Sequence, residues 1–189
     1  MNFSRNPAGL FVCALVVFAT ASLGGVAAAD DLVVKEADDR GVKGLKATFS
    51  VMQTRDTVFE TINDLPSFMK LFPEIKSFKV LRQKDNIRDV HFEVDAVLAN
   101  AQYTLRRTAS RGKTVDVISW NRLSGDANII RGAWILEDGK KPGSTKITYQ
   151  SFVDVSAVVP TAIVRNVAMD KVEQMVKRLR GACAARARK

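Results

Sequence analysis

The residue types best suited to chemistry lie in one short segment, where His91, Glu93 and Asp95 occupy alternate positions. Alternate residues of a β-strand project from one face, so these three side chains could together bind a metal or transfer protons. The residues between and beside them, among them Val90 and Phe92, are apolar and have to face the interior of the protein. The three polar side chains are therefore predicted to face solvent.

Other arrangements that support catalysis are missing from the sequence. His91 is the single histidine, which excludes a His–His metal pair, and neither an HExxH nor a CxxC spacing occurs. No GxSxG nucleophile motif is present, and Cys183 lies in a basic segment without a neighbouring histidine. The GKT segment at 112–114 ends like a phosphate-binding loop, but Arg107 stands where that loop needs its first glycine. The sequence predicts no catalytic residue, no metal ligand and no cofactor.

The first 29 residues have the three parts of an export signal. Arg5 gives a basic start, residues 10–23 are apolar, and small residues precede a cleavage point after Ala29. The apolar stretch is shorter than the ~20 residues that span a bilayer, which favours cleavage over anchoring. Residues 1–29 are therefore predicted to be a signal peptide, and the mature protein to be periplasmic or secreted.

The mature chain is predicted to form one domain. It would contain 28 basic residues, because Arg5 is lost, against 20 acidic ones, which gives a net charge of +8. Its one remaining cysteine cannot close an internal disulfide, so the hydrophobic core has to stabilise the fold. The expected organisation is a flexible leader at 30–41, a domain at 42–181 and a basic tail at 182–189.

Basic residues are concentrated near the C-terminus. A solubilising helix end is the favoured interpretation, because cations complement the negative end of a helix. Peripheral contact with an anionic membrane is the alternative. Nucleic acid is not predicted as a partner, since no aromatic residues alternate with these cations. The basic residues are Lys171, Lys177, Arg178, Arg180, Arg186, Arg188 and Lys189.

The hydrophobic pattern changes period along the domain. Residues 44–53 alternate as a strand, and two short helices joined at Pro66 follow. A final helix begins at Pro160 and is predicted to end before Gly181. Between these helices the period is two, which predicts six strands. They are Ile75–Gln83, Arg88–Leu98, Gln102–Ser110, Val115–Leu123, Ile129–Glu137 and Lys146–Val155.

This α+β order resembles the helix-grip fold of the START-like superfamily, in which a curved antiparallel sheet wraps around a long C-terminal helix. Within the superfamily it is most similar to the polyketide cyclase and coenzyme Q-binding START-domain family. The resemblance covers residues 43–180. Three segments carry it: Val58–Leu81, with two proline-punctuated helices before a strand, the central strand segment His91–Arg107, and the amphipathic end Pro160–Arg180.

The resemblance implies a cavity for an apolar small molecule, and the sequence offers suitable side chains. Any one of them is more commonly a core residue than a ligand contact, but together they fit an apolar lining. Polar residues such as Arg106, Arg107, Asn121, Arg122 and Arg131 could reach a ligand head group, although the outer face of the sheet is their expected place. The predicted ligand-binding residues are Phe68, Met69, Phe72, Phe92, Val94, Ala96, Trp134, Val164, Ala168, Val172 and Met175.

The main hypothesis is a non-catalytic binding or carrier protein of the bacterial cell envelope. Its ligand would be hydrophobic, such as a lipid, an isoprenoid quinone, a sterol or a polyketide-like molecule. The first alternative is an enzyme similar to the aromatase/cyclases, and the second is an interaction module similar to ribosome-associated toxins. The export signal argues against both alternatives, because polyketide assembly and ribosomes are cytoplasmic.

Overall fold

The computed structural model describes residues 31–95, 100–154 and 161–188, with the side chains of the last segment placed from residue 170 onward. The predicted signal peptide at 1–29 lies outside the described residues. Eight strands and three helices form in the described chain. In chain order they are β1 (Val33–Asp39), β2 (Val42–Val51), α1 (Arg55–Asn63), α2 (Leu65–Leu71), β3 (Ile75–Lys84), β4 (Ile87–Asp95), β5 (Asn100–Ser110), β6 (Val115–Gly125), β7 (Ile129–Asp138), β8 (Thr145–Asp154) and α3 (Thr161–Arg186).

The eight strands form one curved antiparallel sheet. Its order is β1-β2-β8-β7-β6-β5-β4-β3, so β1 and β3 are the two edges. The six strands predicted from the period-two pattern are confirmed as β3 to β8. The consecutive strands β3 to β8 are also sheet neighbours, which keeps their connections short. Helix α3 packs against α1, α2 and β2, and the predicted helix-grip architecture is confirmed.

The predicted flexible leader is wrong for residues 33–39, which form strand β1 and pair with β2 along their whole length. A tight turn joins the two strands, with φ of 50° at Arg40 and 79° at Gly41. Asp38 accepts a hydrogen bond of 2.9 Å from the Gly41 backbone N–H. An edge strand is held by backbone hydrogen bonds and needs no apolar face, so its polar composition did not prevent pairing.

Two side chains cap the N-termini of the short helices. The Thr54 hydroxyl accepts a hydrogen bond of 3.3 Å from the Thr57 backbone N–H at the start of α1. The Asp64 carboxylate accepts one of 3.1 Å from the Ser67 backbone N–H at the start of α2. These acceptors satisfy backbone donors that have no partner inside the helix. Pro66 lies in the first turn of α2, as predicted, where its missing N–H costs little.

Helix α3 does not end before Gly181 but continues to Arg186, so the predicted basic tail at 182–189 is wrong for its first five residues. A side chain at Gly181 would meet open space, and its backbone is free to remain helical. The extra turn places Cys183 on the helix, where it is fully buried. The predicted start of the helix at Pro160 lies outside the described residues.

The core lies between the inner face of the sheet and the helices. Along β4 the apolar residues Val90, Phe92 and Val94 are buried, which confirms the predicted inward face. Helix α3 contributes Val172 and Met175, both almost fully buried. The largest fully buried side chains are Trp134, Phe49, Phe92, Ile62, Leu71, Ile118, Leu136, Ile147, Met175 and Leu179.

Candidate functional site

A cavity of about 340 Å³ lies between the inner face of the sheet and helix α2. Its volume is near the lower end of the ~300–1,000 Å³ that small-molecule pockets have. Apolar and aromatic side chains dominate the lining. The described lining residues are Phe68, Phe72, Glu74, Ile75, Phe92, Val94, Ala101, Tyr103, Leu105, Arg107, Trp120, Asp126, Ala127, Ile130, Trp134, Tyr149, Ser151 and Val153.

Strand β5 runs along the length of this cavity. Ala101, Tyr103, Leu105 and Arg107 alternate along it, so all four project from its inner face. At ~3.3 Å per residue, about 20 Å of strand separates the first from the last. Ala101 lies at the partly exposed end, whereas Arg107 is only 5% exposed. The cavity therefore has an open end and a deep end.

Aromatic rings cover much of the lining in two groups. Phe68 of α2 contacts Phe92 of β4, with ring centroids 6.3 Å apart, and Phe92 lies 5.8 Å from Tyr103. In the second group Trp134 and Tyr149 have ring centroids 4.5 Å apart. Such tilted contacts stabilise the rings against one another. The lining is consequently a preformed apolar surface.

Trp120 belongs to the second group because a glycine makes room for it. Its ring lies 5.9 Å from Tyr149, with the two planes inclined by 28°. Gly132 is the cross-strand partner of Trp120, and a Cβ atom at Gly132 would collide with the indole and with the Gln150 carbonyl oxygen. The glycine thus allows the indole to lie flat on β7 and form part of the cavity floor.

Arg107 is the charged group at the deep end. Its guanidinium lies 4.3 Å from the centroid of the Phe68 ring, and Nη2 donates a hydrogen bond of 3.0 Å to the Ile62 carbonyl oxygen at the end of α1. Within the described residues, Nη1 is buried without a hydrogen-bond partner. Burial lowers the pKa of Arg107 to about 10, and the positive charge of Arg88 acts in the same direction. The guanidinium still carries its charge at neutral pH.

Two tyrosines, Tyr103 and Tyr149, also line the cavity. Burial raises the pKa of Tyr103 well above its usual value. Burial likewise raises the pKa of Tyr149 to about 12, against an opposing effect of its hydrogen bond with Ser151. Both hydroxyls therefore keep their protons at neutral pH and are available as hydrogen-bond donors.

The family of the chain follows from a comparison with protein-family models. The model described as polyketide cyclase/dehydrase and lipid transport matches residues 51–180, which include the cavity and most of α3. The chain belongs to this family. The family predicted from the sequence is thereby confirmed. No curated protein matches the chain.

Several solved structures share the fold of this chain. A STAR-related lipid transfer protein from Xanthomonas axonopodis is 13% identical with a TM-score of 0.67, and the match covers 81% of this chain and 93% of that one. The Zhui aromatase/cyclase from a Streptomyces species is 15% identical with a TM-score of 0.64, covering 82% and 96%. A START superfamily protein from Mycobacterium smegmatis is 19% identical with a TM-score of 0.62, covering 75% and 97%.

Five of the predicted ligand-binding residues line the cavity of this protein. They are Phe68, Phe72, Phe92, Val94 and Trp134. Whether they touch a ligand stays a prediction. Trp134 is fully buried, and within the described residues its indole N–H has no hydrogen-bond partner.

The other predicted residues have different places. Met69 is half-buried and packs against the core, and the buried Val172 and Met175 belong to the core; none of the three is among the described lining residues. Ala96 lies outside the described residues. Val164 and Ala168 belong to the α3 backbone, but their side chains are outside the described part of the structure.

Arg107 is the main residue that the sequence analysis placed wrongly, because it was expected on the outer face. The signal was present in the alternation of β5, which puts it on the same face as Tyr103 and Leu105. Its neighbour Arg106 does face outward, where it forms two hydrogen bonds of 2.8 and 2.9 Å with Asp89. Tyr103, Tyr149 and Trp120 were also missed.

The alternating polar residues of β4 face away from the cavity, as predicted. Nδ1 of His91 lies 3.2 Å from the Thr104 hydroxyl, Glu93 accepts a hydrogen bond of 2.9 Å from Ser77, and Asp95 is ion-paired. Among the described residues no group of three or more His, Cys, Asp or Glu side chains is placed to hold a metal. No helix in the described part of the chain is long and apolar enough to cross a membrane.

A surface depression of about 320 Å³ adjoins the open end of the cavity. Phe72 and Glu74 line both spaces, so they form the wall between them. On the far side Lys171 pairs with Glu74 at 3.4 Å, and Nη1 of Arg178 donates to the Leu71 carbonyl oxygen at 3.3 Å. These contacts from α3 hold the end of α2 in place.

Proposed function

We propose that the protein binds a hydrophobic small molecule in this cavity and acts as a carrier or binder without chemical turnover. The observation that supports this proposal most strongly is the apolar, aromatic-lined cavity with one narrow set of polar donors. Pockets of this composition hold a ligand by burial of its apolar surface and orient it by a few polar contacts. Lipid transfer proteins and an aromatase/cyclase share the fold.

The ionisable groups of the described lining favour binding over chemistry. Tyr103 and Tyr149 have raised pKa values and are weak proton acceptors at neutral pH. Glu74 is paired with Lys171, and Asp126 accepts a hydrogen bond of 2.8 Å from the Gln102 backbone N–H. A general base has to reach a substrate proton with a free oxygen, and both carboxylates are engaged by these partners.

An aromatase/cyclase activity is the second candidate, because three residues with hydrogen-bond donors line the cavity. Arg107, Tyr103 and Tyr149 could stabilise negative charge that develops on the oxygen of a carbonyl compound. A binder and a cyclase differ in what happens to the ligand. Material extracted from the purified protein should have the same mass before and after prolonged incubation with it. A new product that depends on the protein would contradict the carrier proposal.

Binding can be tested at the wall between the two spaces. Phe72→Asp places a carboxylate where an apolar ligand enters, and the cost of burying that charge should weaken binding of an apolar fluorescent probe at least tenfold. Val80→Asp is the matched control, because Val80 is exposed on β3 and away from the cavity. Phe68 is less suitable, since an aspartate there would face Arg107. Equal affinity of wild type and Phe72→Asp for the probe would contradict the proposal that the ligand binds in this cavity.

We place this binding in the periplasm or outside the cell, on the strength of the N-terminal pattern. Cleavage after Ala29 would leave Asp31 close to the new N-terminus, where its carboxylate pairs with Arg180 at 2.8 Å. N-terminal sequencing of protein from the cell envelope should give a chain that begins at Asp30. A cytosolic product that begins at Met1 would contradict the export proposal.

Peripheral contact with an anionic membrane remains a smaller part of the proposal. Three of the C-terminal cations bind within the protein, since Lys171, Arg178 and Arg180 contact Glu74, Leu71 and Ser50, respectively. The exposed ones include Lys177 and Arg188. If they attract acidic lipids, wild type should bind acidic liposomes more tightly at low salt, and Lys177→Ala with Arg188→Ala should weaken that binding.

A further inference from the structure

The deep end of the cavity contains a charge that no carboxylate of the described residues neutralises. Arg107 is 5% exposed, and its described contacts are the Ile62 carbonyl oxygen and the face of Phe68. Arg107 is one of the lining residues of the cavity, and its Nη1 atom is buried without a hydrogen-bond partner in the described part of the chain. A buried guanidinium with an unused donor is expensive to keep in a core that apolar residues could fill.

The lining carboxylates do not supply the missing partner. Glu74 is paired with Lys171 and Asp126 with the Gln102 backbone, and both lie toward the open end. The internal segments 96–99 and 155–169 contain no aspartate or glutamate. An anion that pairs with Arg107 therefore has to come from outside this part of the chain.

We propose that the ligand is a long-chain carboxylic acid whose carboxylate pairs with Arg107, while its apolar chain lies along the aromatic lining toward the open end. This inference rests on the proposed ligand-binding function and specifies the chemical class of the ligand. Arginine suits the role because its planar fork of donors matches the two oxygens of a carboxylate. Nη1 is the donor left for that contact.

The protein already holds the guanidinium in a fixed position. Two backbone carbonyls at the end of α1 accept hydrogen bonds from arginines, Ile62 from Arg107 at 3.0 Å and Asn63 from Arg88 at 2.9 Å. The negative end of the helix offsets part of the positive charge when no anion is bound. Because a carbonyl dipole neutralises less than a full anion does, a carboxylate ligand still gains from entering.

The cavity shape agrees with an elongated ligand. The inner row of β5 leads from Arg107 past Leu105 and Tyr103 to Ala101, along about 20 Å of strand. The side chains beside this row are mostly apolar, so a hydrocarbon chain loses contact with water along its length. The head group is thus the part of the ligand for which the site has specific polar contacts.

The test compares three probes of equal chain length: dodecanoic acid, dodecanol and methyl dodecanoate. Each would displace an apolar fluorescent probe from the purified protein at neutral pH. Wild type should bind the acid at least tenfold more tightly than the alcohol or the ester, as expected for a hydrogen bond to a charged group. Equal affinity for acid and alcohol would overturn the proposal.

Arg107→Met then tests the contribution of the head group to binding separately from that of the apolar cavity. It should abolish the preference for the acid, because affinity for the acid should fall much further than affinity for dodecanol. Arg82→Met is the matched control, because it removes the same charge from an exposed position on β3 and should keep the preference. Retention of the preference in Arg107→Met would overturn the assignment of Arg107.

Two further outcomes keep the test decisive. If Arg107→Met does not fold, Arg107→Lys serves instead, because it retains the charge and loses the planar fork of donors. The preference for the acid should then fall without vanishing. An unchanged preference would contradict recognition of the carboxylate by two donors of the guanidinium. Failure of wild type to bind all three probes and the fluorescent probe would contradict the proposed function itself. Binding without a head-group preference contradicts the carboxylate inference alone.

Discussion

Two regions of the inner face of the sheet are covered in opposite ways. Beneath the C-terminal half of α3, Met175 and Leu179 belong with Ile62 of α1 to one core cluster, and each residue is no more than 1% exposed. Beneath α2, the same sheet bounds a cavity of about 340 Å³. The first region consists of close-packed aliphatic side chains, and the second of aromatic rings around a buried arginine.

The difference shows how one fold can be both stable and open. Close packing in the first region removes apolar surface from water and supplies the stability of the domain. The second region gives up part of that stabilisation, because atoms that line a cavity lack neighbours on one side. Within the described residues, Nη1 of Arg107 and Nε1 of Trp134 are buried in this region without a hydrogen-bond partner.

The largest effect should come from a charge in the packed region. Met175→Lys places an ammonium group where the wild-type side chain is 1% exposed, and it should lower the free energy of unfolding by about 3 kcal/mol or more. Glu173→Lys, at an exposed position on the same helix, should change it by less than about 0.5 kcal/mol. Urea denaturation measures both. Similar stability of the two variants would break the distinction between the regions.

A smaller loss should follow from a methyl group in the cavity floor. Gly132→Ala introduces a Cβ atom against the Trp120 indole and the Gln150 carbonyl oxygen, so the ring or the strand has to shift. The expected cost is about 1–3 kcal/mol. Because Trp120 lines the cavity, affinity for an apolar probe should fall as well. Unchanged tryptophan fluorescence and probe affinity would show that the floor is not shaped by this glycine.

The cavity region should also respond to alkaline pH. The pKa of Tyr149 is raised to about 12, so the folded state holds this proton more tightly than the unfolded state does. Below about pH 10 both states are protonated and this residue adds no pH dependence. Above it the unfolded state loses the proton first, and the free energy of unfolding falls as the pH rises toward 12.

Tyr149→Phe should therefore reduce the loss of stability between about pH 10 and about pH 11 by roughly 1 kcal/mol. Tyr103 has a pKa shifted in the same direction, so some alkaline loss should remain. Chemical denaturation at several pH values gives the slopes. A variant with the same alkaline slope as wild type would mean that Tyr149 is more accessible to water than its burial indicates.

The smallest predicted effect is an increase in the free energy of unfolding. Gly181 lies inside α3, and a side chain there meets open space. Gly181→Ala should raise the free energy of unfolding by about 0.5–1 kcal/mol, because alanine loses less backbone entropy when the helix forms. A thermal unfolding curve checks this. A destabilised variant would show that the end of α3 is not helical at this position.

The hydrophobic pattern of the sequence was sufficient for the strands and for the helix-grip order. Period two identified β4 to β8 because each of these strands has one buried face, and it also identified β3, of which Ile75 alone is buried. It failed for β1, an edge strand held mainly by its backbone, and for the end of α3, where a glycine was taken as a stop signal although the helix passes through it. Both elements are fixed by contacts with the rest of the fold, β1 by backbone pairing with β2 and the end of α3 by burial of Cys183.

The candidate site was predicted in its apolar part and missed in its polar part. Phe68, Phe72 and Phe92 line the cavity, and any apolar residue on an inner face would have been a reasonable choice. Arg107 was assigned to the outer face because isolated charges are seldom buried. Its place became apparent from the register of β5, and its orphaned donor could be seen only with Ile62 and Phe68 positioned around it.

The buried Cys183 on α3 has a practical consequence. Its thiol is covered by the fold near Thr61, and burial raises its pKa, so it reacts slowly while α3 is docked. An alkylating reagent can reach the sulfur only in the moments when the helix end lifts from α1. The rate of modification therefore measures how often the helix end opens. Comparing this rate with and without a ligand would show whether a filled cavity slows the opening of the helix.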